Sequence, residues 1–416
     1  MLQLIQTELE LEAKPIRIAV FHMGFMYSGG GERTAIYECI LLERRGHDVT
    51  CFVPAARRDL CYPELIKEIK LKTFLPRVRM RLPMRDFLSM MLSSFLALSF
   101  AQRFSEFDVI LCHGQPAIWI AYCVARSAKV PYACYLHQPA RFIYPRSVDL
   151  EVGWKTKRDF ALLDHLVGLS GPFAESFDHV SVASARRVLV NSRWILSQVS
   201  TIYGLDPVLC PPGVDDTRFK PVSKKTDLEV GGMQVKKPFV LSTNRHYPQK
   251  GMALLIKMMP KILKEFDITL VVTGHFTGYT RNLMALANDL GVRNKVVFTG
   301  LVSEADLARL YQNADVYAYM SPCEDFGLGP IEAMACGTPS VTWDYAGPAE
   351  TMVDGVTGFK VARYDLDDFA KKVLILLKDE ELNLKMSSSA ASYVREHFSW
   401  TRHVEILEHA LKDLTQ

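Results

Sequence analysis

The sequence lacks the cysteine patterns that mark a disulfide-stapled or zinc-binding protein. Its nine cysteines are an odd number, no two of them form a C-x-x-C pair, and no H-E-x-x-H motif is present. Most of the cysteines lie inside apolar runs, as Cys51 and Cys112 do. This pattern is typical of small buried hydrophobic residues in a reducing compartment. The eleven histidines also show no clustering that would predict a metal site.

The chain also lacks a strong charge imbalance and a long hydrophobic segment. Its 49 basic residues against 46 acidic ones leave a net charge of +3, which argues against nucleic acid as a partner. The opening segment MLQLIQTELELEAK carries acidic side chains where a secretory signal would need a basic start and an apolar centre. With 416 residues, 49% of them apolar, the sequence predicts a cytoplasmic globular protein of two or three domains.

Short β-branched runs alternate with amphipathic helical stretches, which predicts parallel sheets covered by helices. Strands are expected at Ile16–Phe21, Asp48–Val53, Phe107–Cys112, Tyr132–Leu136, Val188–Val190, Phe239–Ser242, Ile268–Thr273, Lys295–Phe298, Val316–Tyr319 and Ser340–Trp343. The segment Pro221–Lys237 is polar, rich in glycine and lysine, and without a clear period, so it predicts a domain boundary. The expected domains are residues 1–219 and 220–396, followed by a C-terminal helix, 397–416, that packs back on the first domain.

The first of three motifs that follow predicted strands is SGGGER, Ser28–Arg33, at the start of a predicted helix. Its glycines, Gly29, Gly30 and Gly31, allow backbone amides to approach a ligand, and the helix N-terminus favours an anion. A plain tight connection between strand and helix is the alternative interpretation. Strand Asp48–Val53 does not end in the acidic residue that would hold the ribose of NAD, which argues against a dinucleotide oxidoreductase.

The second motif is NRHYPQKG, Asn244–Gly251, in which Arg245 and Lys250 lie on a loop that enters a helix. Two cations beside a helix N-terminus suit a diphosphate. Solvated basic residues at a protein surface show the same pattern, so this motif alone does not decide between the two interpretations.

The third motif is CEDFGLGPIEAMACGTPSV, Cys323–Val341. Gly329 and Pro330 predict a helix that starts at the proline, which would place Glu332 near its third position, where a carboxylate favours the helix dipole. The helix dipole does not explain a carboxylate at Glu324, because this residue lies in a loop ahead of two glycines. The spacing predicts that one carboxylate meets the hydroxyls of a ligand from the loop and the other from the helix end.

These motifs together resemble the retaining glycosyltransferases of family 4, which have the GT-B fold. Glu324 and Glu332 match the paired-glutamate motif of that family, in the form EDFGLGPIE. Arg245 and Lys250 match its donor-diphosphate pair, and SGGGER matches its N-terminal glycine loop. The resemblance covers nearly the whole chain. It implies an α/β protein with two Rossmann-like parallel-sheet domains that face a central cleft.

The resemblance also implies roles for residues on the second domain. Glu324 would hydrogen-bond hydroxyls of the donor sugar, and Glu332 would hold the nucleotide ribose. The amides around the next three residues of the motif would contact the sugar and the diphosphate; these residues are Phe326, Gly327 and Leu328. The loop and helix that bind the base in this family correspond to Val302 and Leu307.

On the first domain, the resemblance points to the segment YLHQPARFIY. His137 matches a histidine near the reacting sugar of the donor, although a satisfied histidine at a strand end is the alternative interpretation. Arg141 is close enough in sequence to join the acceptor or phosphate site.

The implied activity is transfer of a hexose from a nucleotide sugar. The segments YLHQPARFIY and EDFGLGPIE resemble bacterial mannosyltransferases of surface-polysaccharide or lipid-linked glycan synthesis, which favours GDP-mannose as donor, with a UDP-hexose second, and a glycan, glycolipid or lipid-linked acceptor. No cofactor or metal is expected, because Arg245, Lys250 and helix N-termini can stabilise the departing diphosphate. Alternatives are an epimerase or storage-glucan synthase of the same fold, and a nonenzymatic sugar-nucleotide binder.

Two further segments have competing interpretations. Asp365–Asp367 resembles a metal-binding D-x-D motif, but it opens a predicted helix, where acidic residues cap the helix N-terminus. Phe87–Ala101 is an uncharged run of fifteen residues, and a membrane span needs about 20. It follows four arginines, Arg77, Arg79, Arg81 and Arg85. This region predicts either a buried helix after a basic loop or a peripheral contact with the inner face of the membrane.

Overall fold

The computed structural model describes residues 14–73, 98–141, 143–151 and 161–415. The first half holds a parallel sheet of β1 (Arg17–His22), β2 (Asp48–Val53), β3 (Leu71–Thr73), β4 (Val109–His113), β5 (Tyr132–Leu136), β6 (Arg187–Val190) and β7 (Val208–Leu209). Their spatial order is β3-β2-β1-β4-β5-β6-β7. The helices assigned here are α1 (Gly30–Arg44), α2 (Ala117–Ala128), α3 (Ser147–Glu151), α4 (Ala161–Ala183) and α5 (Arg193–Tyr203).

The second half begins with a hairpin of β8 (Leu228–Val230) and β9 (Met233–Val235). Its parallel sheet has the order β12-β11-β10-β13-β14-β15. The strands are β10 (Phe239–Thr243), β11 (Thr269–Thr273), β12 (Val296–Gly300), β13 (Val316–Tyr319), β14 (Ser340–Trp343) and β15 (Gly358–Val361). The helices are α6 (Met252–Leu263), α7 (Gly278–Asp289), α8 (Glu304–Asn313), α9 (Leu328–Ala335), α10 (Ala346–Glu350), α11 (Leu366–Lys378), α12 (Glu380–His397) and α13 (Trp400–Lys412).

The predicted architecture of two parallel-sheet domains is confirmed. Every residue of β4, β5, β13 and β14 is buried, as expected where helices cover both faces of a parallel sheet. Such strands read as continuous apolar runs, so the sequence pattern located most of them to within one or two residues. The predicted strands at Asp48–Val53, Tyr132–Leu136, Val316–Tyr319 and Ser340–Trp343 match the structure at both ends.

Some strands were not predicted. Pro221–Lys237, in which no clear period was found and no strand was predicted, contains the hairpin of β8 and β9. Its turn is Gly231-Gly232, with φ angles of +59° and +73°, and a two-glycine turn between short apolar runs is a known hairpin signal. The edge strand β15 reads GFKV and is only half-buried in its middle, so it gives no continuous apolar run to detect.

The C-terminal helix α13 lies against the first domain. Leu407 and Leu411 are fully buried in the same apolar cluster as Ile36 of α1. The indole of Trp400 stacks on the ring of Tyr37, with ring centroids 4.6 Å apart. The last helix therefore belongs to the core of the N-terminal domain, although the chain reaches it through the second domain.

Candidate active site

In both sheets the order of the strands reverses at one point, between β1 and β4 in the first and between β10 and β13 in the second. Ligands of open parallel sheets bind outside the carboxyl ends of the strands at such a reversal. The three sequence motifs follow β1, β10 and β13, so each of them lies at a reversal. The two domains present these loops to each other across one cleft.

Lys250 and Glu324 form the centre of the site on the second domain. Gly251 has a φ of +73°, and a Cβ atom there would overlap the Met320 carbonyl oxygen, so the loop after β10 can press against the end of β13 only with glycine at this position. That close approach places Lys250 Nζ 2.6 Å from Glu324 Oε2. Tyr319 donates a second hydrogen bond to the same oxygen at 2.8 Å.

The carboxyl group of Glu324 is held ionised. Burial alone would raise its pKa, but the charge and hydrogen bond of Lys250 outweigh burial and lower the pKa to about 2. The side chains of Lys250 and Glu324 are only 15% and 17% exposed. The site therefore contains a fixed, largely desolvated ion pair at the position where the sequence predicts the sugar and the diphosphate.

The glycine loop of the first domain meets this region directly. Gly29 is the N-cap residue of α1. A methyl group added at Gly30 would lie 3.0 Å from Leu328 Cδ1, and one at Gly31 would lie 3.6 Å from the ring of His137. The structure thus brings together the glycine loop, His137 and the start of α9, which are distant in sequence.

Arg245 faces the glycine loop from the other domain. Its guanidinium carbon lies 4.6 Å from the centroid of the Tyr27 ring. Glu32, on the first turn of α1, is 7% exposed, and burial raises its pKa to about 7, with Arg245 opposing the rise. Sequence reasoning did not single out Glu32, although it lies inside the predicted motif.

Glu332 is engaged by the first domain. One carboxylate oxygen accepts a hydrogen bond from Arg33 of α1, and the other accepts one from the Tyr311 hydroxyl at 3.0 Å. Arg33 also donates to Glu304 at 2.7 Å, and Arg218 donates to Glu304 at 2.9 Å. Residues from both domains thus form one cluster of charges, buried at Arg33 and Glu332 and half-buried at Glu304 and Arg218, at the position expected to hold the ribose.

The predicted start of the helix that carries Glu332 was wrong. Helix α9 begins at Leu328, after Gly327, whose φ is +99°. Pro330 is therefore the third helical residue and Glu332 the fifth, beyond the first turn. The helix dipole does not explain a carboxylate there, whereas the contact with Arg33 does.

The remaining predicted donor-site residues present mostly apolar side chains. Phe326 is 6% exposed and packs edge-on against Phe398, with ring centroids 5.8 Å apart. Val302 and Leu307 pack against the same core cluster from the start of α8. Their side chains therefore contribute to packing, and a ligand would be contacted through their backbone groups.

On the first domain, His137 and Arg141 have different environments. Burial and the neighbouring His113 lower the pKa of His137 to about 3, so its ring is neutral. Arg141 is paired with Asp149 of α3. Arg146, which the sequence analysis did not identify, donates to the Cys323 carbonyl oxygen at 3.0 Å and so links the domains beside Glu324. Arg146 immediately precedes α3, and its spacing of three from Asp149 was the available sequence signal.

A cavity of about 250 Å³ opens beside this contact between the domains. Arg141 and Arg146 line it from the first domain, together with the indole of Trp194. Asp325 and Tyr345 line it from the second. The cavity, which Tyr144 also lines, thus combines charged groups with three aromatic side chains next to the Glu324 loop.

The described residues hold neither a metal-binding cluster nor a membrane-spanning helix. Within residues 14–73, 98–141, 143–151 and 161–415, no group of three or more His, Cys, Asp or Glu side chains could hold a metal ion. The Asp365 carboxylate accepts a hydrogen bond from the Asp368 amide at 2.9 Å, which confirms that it caps α11. No helix in the described part of the chain is both long and apolar enough to cross a bilayer. Most of the predicted membrane patch, residues 74–97, lies outside the described residues.

Both halves of the chain match glycosyltransferase family models: residues 28–218 the model described as Glycosyltransferase Family 4, and residues 223–393 that described as Glycosyl transferases group 1. A D-inositol 3-phosphate glycosyltransferase of Mycobacterium sp. (strain KMS) is 33% identical over 203 residues, 47% of this chain and 46% of that protein. A GDP-mannose-dependent alpha-(1-6)-phosphatidylinositol monomannoside mannosyltransferase of Mycolicibacterium smegmatis is 32% identical over 232 residues, 52% of this chain and 60% of that protein. The chain spans about half the length of the relatives it matches.

Solved structures with the same architecture match over nearly the whole chain. Sucrose-phosphate synthase from Thermosynechococcus elongatus has a TM-score of 0.75 at 18% identity, with 96% of this chain and 99% of that chain covered. Anabaena HepE in complex with UDP and glucose has a TM-score of 0.74 at 19% identity, with 96% and 100% covered. These likenesses show the fold. Because the two family models together span both sheets and the cleft between them, the chain belongs to glycosyltransferase family 4 and has the GT-B fold, as its motifs predict.

Proposed function

We propose that the protein is a retaining hexosyltransferase that moves mannose from GDP-mannose to a glycan, glycolipid or lipid-linked acceptor. The observation that carries this proposal is the convergence of charged groups at one end of the cleft. Lys250 lies 2.6 Å from Glu324, and Arg245 faces the glycine loop through Tyr27. The mannosyltransferase relative of Mycolicibacterium smegmatis supports the choice of donor.

The charges suit departure of a nucleoside diphosphate. As the bond to the sugar breaks, negative charge grows on a β-phosphate oxygen, and Arg245, Lys250 and the N-terminus of α1 stabilise that charge. The sugar gains oxocarbenium character, and Glu324 hydrogen-bonds its hydroxyls. The acceptor hydroxyl attacks from the same face, and the departing phosphate oxygen takes up its proton. Contact between the two domains excludes water and so limits hydrolysis of the donor.

The acceptor enters, on this proposal, through the cavity beside Arg146. Its three aromatic side chains suit the apolar faces of a sugar ring, and its charged groups suit hydroxyls or an anionic group. Trp194→Ala should lower transfer to an acceptor while hydrolysis of the donor continues. Phe173→Ala removes an aromatic ring that is 75% exposed outside the cavity and serves as the control. Equal transfer by both variants would place the acceptor elsewhere.

The donor is tested with the full chain. Thermal shifts with GDP-, UDP- and ADP-sugars identify the preferred nucleotide, and release of the nucleoside diphosphate with and without a panel of glycan and lipid-linked acceptors shows turnover. Lys250→Met should abolish release, because it removes a cation from the diphosphate site. Lys261→Met, in the exposed last turn of α6, should leave release unchanged. Retention is read from the anomeric configuration of the product.

A UDP-hexose is the second candidate donor. The Anabaena structure that shares the fold contains UDP and glucose, which supports this alternative. A thermal shift and turnover with UDP-glucose, and with none of the GDP- or ADP-sugars, would identify a UDP-hexose as the donor. Binding of a sugar nucleotide without release of diphosphate under any condition would instead indicate a nonenzymatic binding protein.

A further inference from the structure

Four side chains form a continuous polar path through the first domain, from three buried residues beside the C-terminal helix to the half-buried His137 at the cleft. His403 Nε2 on α13 lies 2.9 Å from Glu38 Oε1 on α1. Glu38 Oε2 lies 2.9 Å from His113 Nε2 at the end of β4. His113 Nδ1 lies 3.3 Å from His137 Nε2. The side chains of Glu38, His113 and His403 are inaccessible to solvent.

The hydrogen-bond partners of His403 determine its protonation. Its Nδ1 atom lies 2.9 Å from the Pro211 carbonyl oxygen, and its Nε2 atom faces the Glu38 carboxylate. Both partners are acceptors, so both ring nitrogens must carry hydrogen. Burial opposes this charge, but Cys210 and Glu38 outweigh burial and raise the pKa of His403 well above its ordinary value. The ring is therefore an imidazolium.

Glu38 is correspondingly a carboxylate. Burial would raise its pKa, but His113 and His403 outweigh burial and lower the pKa to about 2. Its second oxygen contacts His113 Nε2 at an angle outside the hydrogen-bond range, so the interaction is mainly electrostatic. A negative charge beside Nε2 favours a proton on that nitrogen. In a neutral ring this leaves Nδ1 of His113 as an acceptor, which faces His137.

We propose that Glu38 and His113 are positioning residues that hold His137 in one tautomer, with hydrogen on Nε2 and the lone pair on Nδ1. In this tautomer the Nε2–H group of His137 donates to His113, and Nδ1 remains free to accept a hydrogen bond from a hydroxyl group of the sugar in the cleft. The contact with the sugar rests on the proposed function. The Tyr135 ring, 4.8 Å from His137 between centroids, holds the position of the histidine but cannot select its tautomer. The anchor of the path is His403, so α13 contributes to the site although it does not border it.

A matched control exists on the same helix. Glu408 of α13 lies 2.8 Å from His47 Nε2, and this buried pair also joins α13 to the first domain. Within the part of the chain that the structure describes, Glu408 contacts neither His113 nor His137. Glu408→Gln therefore removes a carboxylate charge that pairs with His47, Arg45 and Lys412 without touching the path, whereas Glu38→Gln removes the charge inside it.

The first test is spectroscopic and needs no activity. In the full chain with ¹⁵N-labelled histidine, two-bond ¹H–¹⁵N correlations distinguish the two tautomers, and His137→Asn assigns the relevant signals. The wild type and Glu408→Gln should show His137 with hydrogen on Nε2. Glu38→Gln should show a mixture of tautomers. Hydrogen on Nδ1 of His137 in the wild type would overturn the proposal even if Glu38→Gln failed to fold.

The second test is kinetic. Glu38→Gln should lower kcat about 10-fold or more with a smaller change in the KM for the donor, since misorientation of a reacting group has costs of this size. Glu408→Gln should leave both constants within about twofold. An unchanged tautomer and kcat in Glu38→Gln, with an active wild type, would refute the positioning role while the proposed function stands. A tautomer that depends on Glu38 in a protein without transferase activity would support the path and reject the proposed function.

Discussion

Glu324→Gln tests the centre of the site, because it removes one charge and changes little else. The amide keeps an oxygen that can accept hydrogen bonds from Tyr319 and Lys250. It loses the negative charge that lies 2.6 Å from Lys250 Nζ. Lys250 is then left largely buried without its counter-charge, which is costly.

The magnitude follows from the pKa of Glu324, which falls from an ordinary 4.5 to about 2 in the folded protein. A difference of that size corresponds to about 3 kcal/mol in favour of the ionised form. Because the folded pKa is depressed, this stabilisation is present above pH 4.5 and is lost as the pH falls toward 2. The variant should therefore be less stable by at most about 3 kcal/mol at pH 7, and the difference should shrink below pH 4.5.

Urea unfolding at pH 7 and at pH 3 measures the stability change, and release of nucleoside diphosphate measures turnover. Turnover should fall about 10²-fold or more, the scale of losing a key transition-state contact. Glu405→Gln, an exposed change on α13, serves as the control. Near-normal turnover in Glu324→Gln would refute the contact with the sugar. A stability difference that does not depend on pH would refute the ion-pair reasoning.

Metal dependence, two buried charges and the basic segment provide the remaining tests. Exhaustive chelation should leave transfer intact, because Arg245 and Lys250 supply the positive charge at the diphosphate; complete loss that only manganese or magnesium restores would contradict this. Burial raises the pKa of Glu32 from 4.5 to about 7. The folded protein therefore holds the Glu32 proton more tightly than the unfolded chain does, and this stabilisation is lost as the pH rises from 4.5 through 7. Glu32→Gln should then be more stable than wild type at pH 8 by up to about 3 kcal/mol, but not at pH 4, and equal urea-unfolding curves at pH 8 would contradict it. Arg33→Met should reduce the free energy of unfolding by about 3 kcal/mol or more, since it leaves the buried Glu332 carboxylate without the cation that it contacts; a loss below about 1 kcal/mol would show that Arg33 does not stabilise the cluster. Wild type should co-sediment with anionic but not neutral vesicles at low salt, and changing the four arginines between residues 77 and 85 to glutamine should abolish this, since each is worth about 1 kcal/mol; wild type that stays in the supernatant would reject the membrane patch.

The sequence alone predicted the fold and the loops of the site. Buried parallel strands must be apolar on both faces, so β2, β5 and β13 read as continuous runs with clear ends. The motif loops follow such strands directly, and strand ends in a parallel sheet share one edge. The hydrophobic pattern predicted no strand where burial is partial, as in β15. It also misplaced the start of α9, because the helix begins directly after Gly327 and not at Pro330.

Tertiary structure alone decided which charges meet. Arg33 and Glu332 are 299 positions apart, and Glu38 and His403 are 365 apart. Each of these residues lies on a helix and is buried, but the local sequence does not specify which partner it meets. The partners depend on how the two domains approach each other and on the return of α13 to the first domain. A charge in a low-dielectric interior is stable only beside its counter-charge, so these long-range contacts, and not the local sequence, set the protonation of the groups around the cleft.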